Sequence, residues 1–589
     1  MITKNSTIYL LAKKHIIRRR QFILYILIGL SGVIIDYAAY SAGVKLLSLG
    51  VLVVNLFSVS LGIINNFYWN VKYNFKVRDR LLLRFSMFYS VGLIGLVLSE
   101  LLLAIFHYEF KIDPLLAKLL TLPFVLVSQY ALNKYVSFGS IKNFQEFLHK
   151  VFRHWPVIVL VIVFTICSLM FVKYIPSNFS TNSLAGAPDE GAHYTYNVEF
   201  ILEHKRLPIS GKDDLAAYKN CRNNPTAEVP CMYSYTFYPG ASYIINAISA
   251  SLVSKITGIE PQVASRLPST LYGVTFILCI YATAYIISKR RLVAALLAAG
   301  VGLIPQYIFI SSYTNLDAHS VAISGILSLA LVLYASEPKR YRNIAFLGIA
   351  AGGLLPLAKY DFFVLIIPVV LLVAYLLFKK KINNHDLFHL GIWGVGSFIV
   401  LASFWYIRNL ILYHDISGQG FALKEMSKFH ALGKPLPIDL ASFAHLTTIN
   451  FWEILFRSFY LAYGEMIYFL DDSRYVVPAI FGVAGLVYIF VRISELNKKR
   501  RKVLIWATIA FLALLILVVA QVVYNSLIYD FQPQGRYLFP ILAPLVIFVA
   551  YCAKVDKQLG KNLSLLLATS TLFIFINGVL LFIKVYLNA

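Results

Sequence analysis

Apolar runs of roughly 18 to 25 residues recur along almost all of this 589-residue chain, each long enough to cross a bilayer as one helix. No water reaches the backbone inside hydrocarbon, so every N–H and C=O must be satisfied within the segment. The expected fold is therefore an all-α polytopic membrane protein with about fifteen transmembrane helices. Four fall in the first quarter, at roughly 22–47, 51–70, 85–107 and 114–135. Eleven follow, at roughly 156–174, 265–288, 292–312, 318–336, 341–357, 361–378, 387–406, 474–492, 503–526, 536–553 and 562–586. The pair around Pro356 to Asp361 also reads as one broken hairpin.

With 59% hydrophobic and 14% charged residues, a soluble domain is excluded. The net charge of +25 does not call for nucleic acid. Basic loops at 13–20, 72–84, 134–153, 289–291, 339–342, 379–381, 492–502 and 554–561 all fall on one side if the N-terminus is cytoplasmic. This is the positive-inside pattern of a multi-pass plasma (cytoplasmic) membrane protein touching anionic headgroups. The first span has no small-residue cleavage site and reads as uncleaved. The C-terminus and two long loops, near 175–264 and 407–473, then lie outside, with a short apolar helix at 240–254 on the interface. A polar, basic stretch at 139–155 ends at Trp155-Pro156, which divides the chain into domains 1–145 and 146–589. Cys167, Cys279 and Cys552 sit in apolar runs as packing residues. Cys221 and Cys231 share one outer loop, where a disulfide and two free thiols are both open.

The first quarter repeats itself at an offset of 63 residues: Phe22 with Phe85, Gly29 with Gly92, Gly32 with Gly95, Asn70 with Asn133, and Phe75 with Phe138. Two hairpins of the same orientation follow, a duplication common in proteins that carry cargo across bilayers. The glycines let helices approach closely. Asp36 and Glu100 lie within apolar runs, where a carboxylate costs a few kcal/mol, and Lys118 is a candidate partner. A structural ion pair and the passage of a polar headgroup both remain open. With Gly29, Gly32, Asp36, Asn66-Phe67 and the two Asn-x-x-x-x-Phe ends in order, residues 20–140 resemble the GtrA-like family. The resemblance implies translocation of a polyprenyl-phosphate-linked sugar, with Asp36, Asn66, Asn70, Glu100, Lys118 and Asn133 along its path. A cytoplasmic-side polyprenyl-phosphate glycosyltransferase would make that lipid.

Beyond the fifth span, Pro188-Asp189-Glu190 opens an outer loop, with His193 one turn further on. An acidic helix N-terminus favoured by the dipole is one reading, and a proton acceptor at the membrane edge is the other. Asn315, Asp317 and His319 form a second acid–imidazole edge. Both edges suit a divalent metal, but no ligand set is fixed and no cofactor is certain. Arg266, Lys359, Arg408, Arg536 and the adjacent Tyr537 stand at outer span ends, where positive-inside bias makes cations unexpected. Snorkelling to headgroups and holding a lipid phosphate are the two readings. The order Pro188-Asp189-Glu190-x-x-His193, Trp405-x-x-Arg408-Asn409 and Gln534-Gly535-Arg536-Tyr537 resembles bacterial members of the GT-C superfamily of membrane glycosyltransferases. That likeness implies an inverting transfer from a polyprenyl-phosphate sugar donor to an outer glycan acceptor, with Asp189 as base and Glu190 supporting it. The rivals are a flippase or an assembly scaffold without transferase activity.

Overall fold

The computed structural model describes residues 20–35, 38–39, 42, 51–104, 121, 124–130, 132–138, 153–177, 185–215, 234–427, 446, 449–528 and 533–587. The chain divides into two compact units, Met1–Arg153 and His154–Ala589. Among the described residues there is no strand, only an isolated antiparallel bridge between Tyr463 and Tyr468. The protein is all-α and polytopic. Nine helices among these residues are long and apolar enough to span a membrane, fewer than the fifteen expected.

Within the first unit, the 63-residue offset has a structural counterpart. Asn70–Asn74 and Asn133–Ser137 both wind as π-helices. Each is closed by the next residue, Phe75 N–H or Phe138 N–H, donating to the first asparagine carbonyl at 2.8 Å. The two phenyl rings then stack with centroids 4.3 Å apart. Inside each turn, Asn74 Nδ2 donates to Asn70 Oδ1 at 2.9 Å, and Ser137 Oγ donates to Asn133 Oδ1 at 2.6 Å. A Cβ at Gly32 would lie 2.2 Å from the Asn66 side chain, and one at Gly95 would lie 1.9 Å from Gln129. Close approach is therefore what those glycines provide. Asp36 and Lys118 lie outside the described residues; Glu100 is on the helix Leu81–Ala104, its side chain likewise outside them.

In the second unit, two expected spans are broken rather than continuous. The run 292–312 splits into Arg291–Gly302 and Pro305–Ile310, with Ile304 extended, because Pro305 has no N–H to continue the ladder. The run 341–357 passes from Tyr341–Gly348 through a π-helix, Ile349–Leu354, into the 3-10 turn Leu355–Leu357 around Pro356. Ala358 and Lys359 are then extended before the next helix starts at Tyr360. Non-helical backbone at membrane depth survives only where protein or a polar cavity satisfies it. Here Lys359 N donates to Ser320 Oγ at 2.8 Å.

The core is aromatic, built on Phe164, Phe276, Tyr307, Phe309, Tyr313 and Tyr463, all at most 2% exposed. Outer helices turn apolar side chains outward instead: Phe378 is 81% exposed and Val400 79%, as lipid-facing residues should be. A close crossing joins Ile349–Leu354 to Asn384–Ser397, where a Cβ on Gly352 would meet Gly394 O at 2.2 Å. Backbone on both sides cannot give way, so Gly352→Ala should cost about 1–3 kcal/mol. Gly396→Ala, with nothing within 4 Å of its added Cβ, is the control. The check is the thermal midpoint of each detergent-solubilised variant by fluorescence-detected size exclusion.

Candidate functional site

The starts of three helical spans, Asp317–Ser336, Tyr360–Phe378 and Gly535–Val555, are joined through Asp317, Lys359, Asp361 and Arg536. Their positive N-terminal ends favour negative charge there. Into the same place the loop after Trp155–Tyr174 brings Asp189, which adopts a left-handed conformation at φ 62° and precedes the short helix Glu190–His193. Aspartate is one of the few L-residues that tolerates this region. His193 N donates to Asp189 O at 3.0 Å across this turn.

The charged side chains form a chain of contacts. Arg536 Nη2 donates to Asp189 Oδ2 at 2.6 Å, and Arg536 Nη1 lies 3.2 Å from Tyr313 Oη and 3.7 Å from Asp317 Oδ2. Lys359 Nζ reaches Asp317 Oδ1 at 3.0 Å and Asp361 Oδ2 at 3.7 Å. Gln521 and Asn525 each donate to Asp361 Oδ1 at 3.2 Å. Tyr537 covers the cations, its ring 4.6 Å from Lys359 Nζ. Lys359, Asp317 and Arg536 are buried, whereas the Asp189 side chain is 33% exposed and forms the mouth. Arg536 Nε is buried with no hydrogen-bond partner, a donor held ready in a dry setting. Burial opposes the charge on Asp189, but the Arg536 guanidinium, then His193, hold its carboxyl below the ordinary value.

An aromatic wall borders this cluster. His193 stacks on Tyr235 at 4.0 Å and its Nδ1 pairs with Tyr243 Oη at 2.6 Å. Burial drives its imidazole down to about 3, so it stays neutral. Tyr238 follows, packed 5.1 Å from Tyr360.

Glu190 faces the other way. Its two oxygens receive Arg266 Nε at 2.7 Å and Arg266 Nη2 at 2.6 Å, and Thr314 N adds a third bond at 3.1 Å. The remaining Arg266 donors go to the carbonyls of Val172, Ile175 and Pro176. Arg266 is 0% exposed, so this pair pins the Asp189 turn to the end of the first span of the unit.

Of the expected site residues, Asp189, His193, Asp317, Lys359, Arg536 and Tyr537 meet. Asn315 instead caps its own turn, accepting from Ala318 N at 2.9 Å and donating to Ile310 O and Tyr313 O. His319 packs edge-on against Tyr272. Arg408 lies apart: Nη2 donates to Pro208 O at 2.5 Å and the guanidinium stacks over Trp405 at 5.1 Å, tying the outer loop down. Among the described residues no three His, Cys, Asp or Glu side chains converge as metal ligands. Cys221 and Cys231 lie outside the described residues.

Three partners carry no sequence signal of their own: Tyr313, Gln521 and Asn525.

No curated protein and no solved structure matches the chain. A model of the GtrA/DPMS transmembrane domain matches residues 24–138, the stretch that carries the repeat. The second match is a family described as a predicted membrane protein (DUF2142); it runs over residues 213–545, more than half of the chain, from the outer loop past Lys359 and Arg536, and to that family this chain belongs.

Proposed function

We propose that this protein transfers a sugar from a polyprenyl-phosphate carrier to a hydroxyl acceptor on the outer face of the plasma membrane, the N-terminal domain having brought the lipid-linked sugar across. The observation that carries this reading is the pair Arg536 and Lys359, buried where the starts of three spans meet, with Arg536 Nε unpartnered. A guanidinium fork and an ammonium at converging helix N-termini suit phosphate oxygens. As the bond from the anomeric carbon to the phosphate oxygen breaks, its electron pair stays on the phosphate, and fixed cations are most effective against such growing charge in a dry site. Attack from the opposite side inverts the anomeric carbon. Asp189, at the mouth, hydrogen-bonds the incoming hydroxyl, and Glu190 with Arg266 positions that turn.

An apolar cavity of about 500 Å³ supports the lipid half of this reading. Leu355, Phe363, Ile366, Phe398 and Tyr406 line it, and Phe363 is two residues from Asp361. An isoprenoid tail there would place its phosphate beside Lys359.

The GtrA/DPMS match favours one alternative, a lipid-sugar flippase with no transfer step. Surface glycans decide between them. Cells lacking the chain are complemented with wild type or with Asp189→Asn, and released glycans are weighed by mass spectrometry. Transfer predicts that one sugar type disappears with Asp189→Asn at unchanged protein level. A full complement of sugars with Asp189→Asn would instead leave translocation as the activity.

A further inference from the structure

Four aromatic rings link the Asp189 turn to Lys359. His193, on the helix that follows Asp189, stacks on Tyr235 with centroids 4.0 Å and planes 26° apart. Tyr235 in turn lies 6.1 Å from Tyr238 at 23°, a separation that slips the two rings past each other instead of covering them face to face. Tyr238 is 5.1 Å from Tyr360, which stands between Lys359 and Asp361. The Tyr360 hydroxyl lies 3.3 Å from Phe237 O and donates to Ser417 O at 2.6 Å, which fixes this last ring to the loop carrying the middle two.

Core packing does not account for Tyr235 and Tyr238. Phe237 is the ring that this loop commits to the interior, at 4% exposed, whereas both tyrosines keep part of their surface open. Tyr235 also holds a left-handed backbone at φ 59°, a strained conformation for a bulky side chain. Such strain persists only where the surroundings over-determine it. Here one buried carboxylate clamps both neighbours: Ser234 Oγ and Thr236 Oγ1 donate to Asp214 Oδ2 at 2.5 and 2.6 Å. Asn197 Nδ2 holds Ser234 O at 2.8 Å as well. A rigid ring is therefore presented beside the carboxylate at the mouth of the site.

That arrangement suits a sugar. One face of a pyranose carries C–H bonds polarised by the neighbouring oxygens, and the negative face of an aromatic ring attracts them. The hydroxyls project sideways and stay free for polar partners.

We propose that Tyr235 and Tyr238 form a stacking shelf for the acceptor, which is therefore a glycan: a pyranose lies with its C–H face on these rings and directs one hydroxyl at Asp189. The acceptor role rests on the transfer reading above. Because Arg536 and Lys359 hold the donor phosphate in that reading, changes to the shelf weaken the acceptor and leave the donor alone.

The test uses the full chain in lipid nanodiscs loaded with lipid-linked sugars extracted from the host membrane. The acceptor probe is the oligosaccharide mixture released by mild acid from the surface glycans of cells lacking the chain. Its binding is measured by saturation-transfer NMR, its glycosylation by mass spectrometry, and undecaprenyl phosphate binding on the same samples. Tyr238→Leu and Tyr235→Leu should each weaken oligosaccharide binding and raise its KM about tenfold, with kcat and undecaprenyl phosphate affinity within about threefold of wild type. Tyr238→Phe and Tyr235→Phe keep the ring and should bind as wild type does. Tyr238 has no left-handed backbone, so its variants carry the test if Tyr235→Leu is not monodisperse. Leucine variants that bind the oligosaccharides as wild type does, or a wild type that transfers without binding them, overturn the shelf and leave transfer standing. Oligosaccharide binding that the leucine variants lose, in a wild type that transfers nothing, overturns transfer while the shelf survives as a glycan site. A wild type that neither binds nor glycosylates them overturns both.

Discussion

Arg536→Gln is expected to fold and to lower sugar transfer about 10²–10³-fold, a loss of roughly 3–4 kcal/mol of transition-state stabilisation. One guanidinium contacts Asp189, Tyr313 and Asp317 and keeps Nε in reserve. Glutamine removes the charge and the fork together. Lysine keeps the charge but as a single point, with no Nε and no planar pair of donors, so Arg536→Lys should recover little. The measurement is release of polyprenyl phosphate, with undecaprenyl phosphate binding alongside and size exclusion as the control for folding. A monodisperse Arg536→Gln that transfers at the wild-type rate removes the phosphate role from this residue.

Arg266→Met should do its damage before any chemistry begins. It leaves Glu190 buried without its cation, and breaking a buried ion pair from one side typically costs about 3–5 kcal/mol. It also strips donors from the carbonyls of Val172, Ile175 and Pro176, which close the end of Trp155–Tyr174. The expected outcome is a large fall in thermal midpoint and in yield of monodisperse protein. Arg266→Met with Glu190→Met removes both charges and should recover part of that loss, the carbonyls and Thr314 N remaining unpaired. Midpoints of the two single variants and the double form a cycle that isolates the pair. Additive losses, with no recovery in the double, would mean that the two side chains do not support each other.

The two variants separate roles that the residue order alone leaves together. Asp189 and Glu190 are neighbours in the chain, yet one opens to water beside Arg536 and the other is buried against Arg266. Arg408 reads like Arg536 in sequence, a cation at a span end with an aromatic close by. It turns instead to the Pro208 carbonyl in the first long outer loop and to the Trp405 ring on its own helix. Asn315 and His319 flank Asp317, and helical geometry points neither at Lys359.

Two expected spans were continuous as hydropathy and broken as structure. Hydropathy averages over a window and does not register that Pro305 interrupts the backbone ladder, whereas the stretch from Pro356 to Asp361 already reads as a broken hairpin in the sequence. The second break matters most, since the extended Ala358–Lys359 segment is what lets Lys359 reach Asp317.

The amino-acid sequence alone determined that this chain is helical and polytopic, that its first quarter is duplicated, and which residues stand at the ends of apolar runs. A bilayer enforces that much, since each apolar run must satisfy its own backbone and so delivers its flanking residues to a surface. Which of those flanking residues touch was decided by the tertiary structure. Arg536 and Asp189 are 347 positions apart and join at 2.6 Å because helices pack side by side in the membrane plane, and no local pattern encodes the order of that packing.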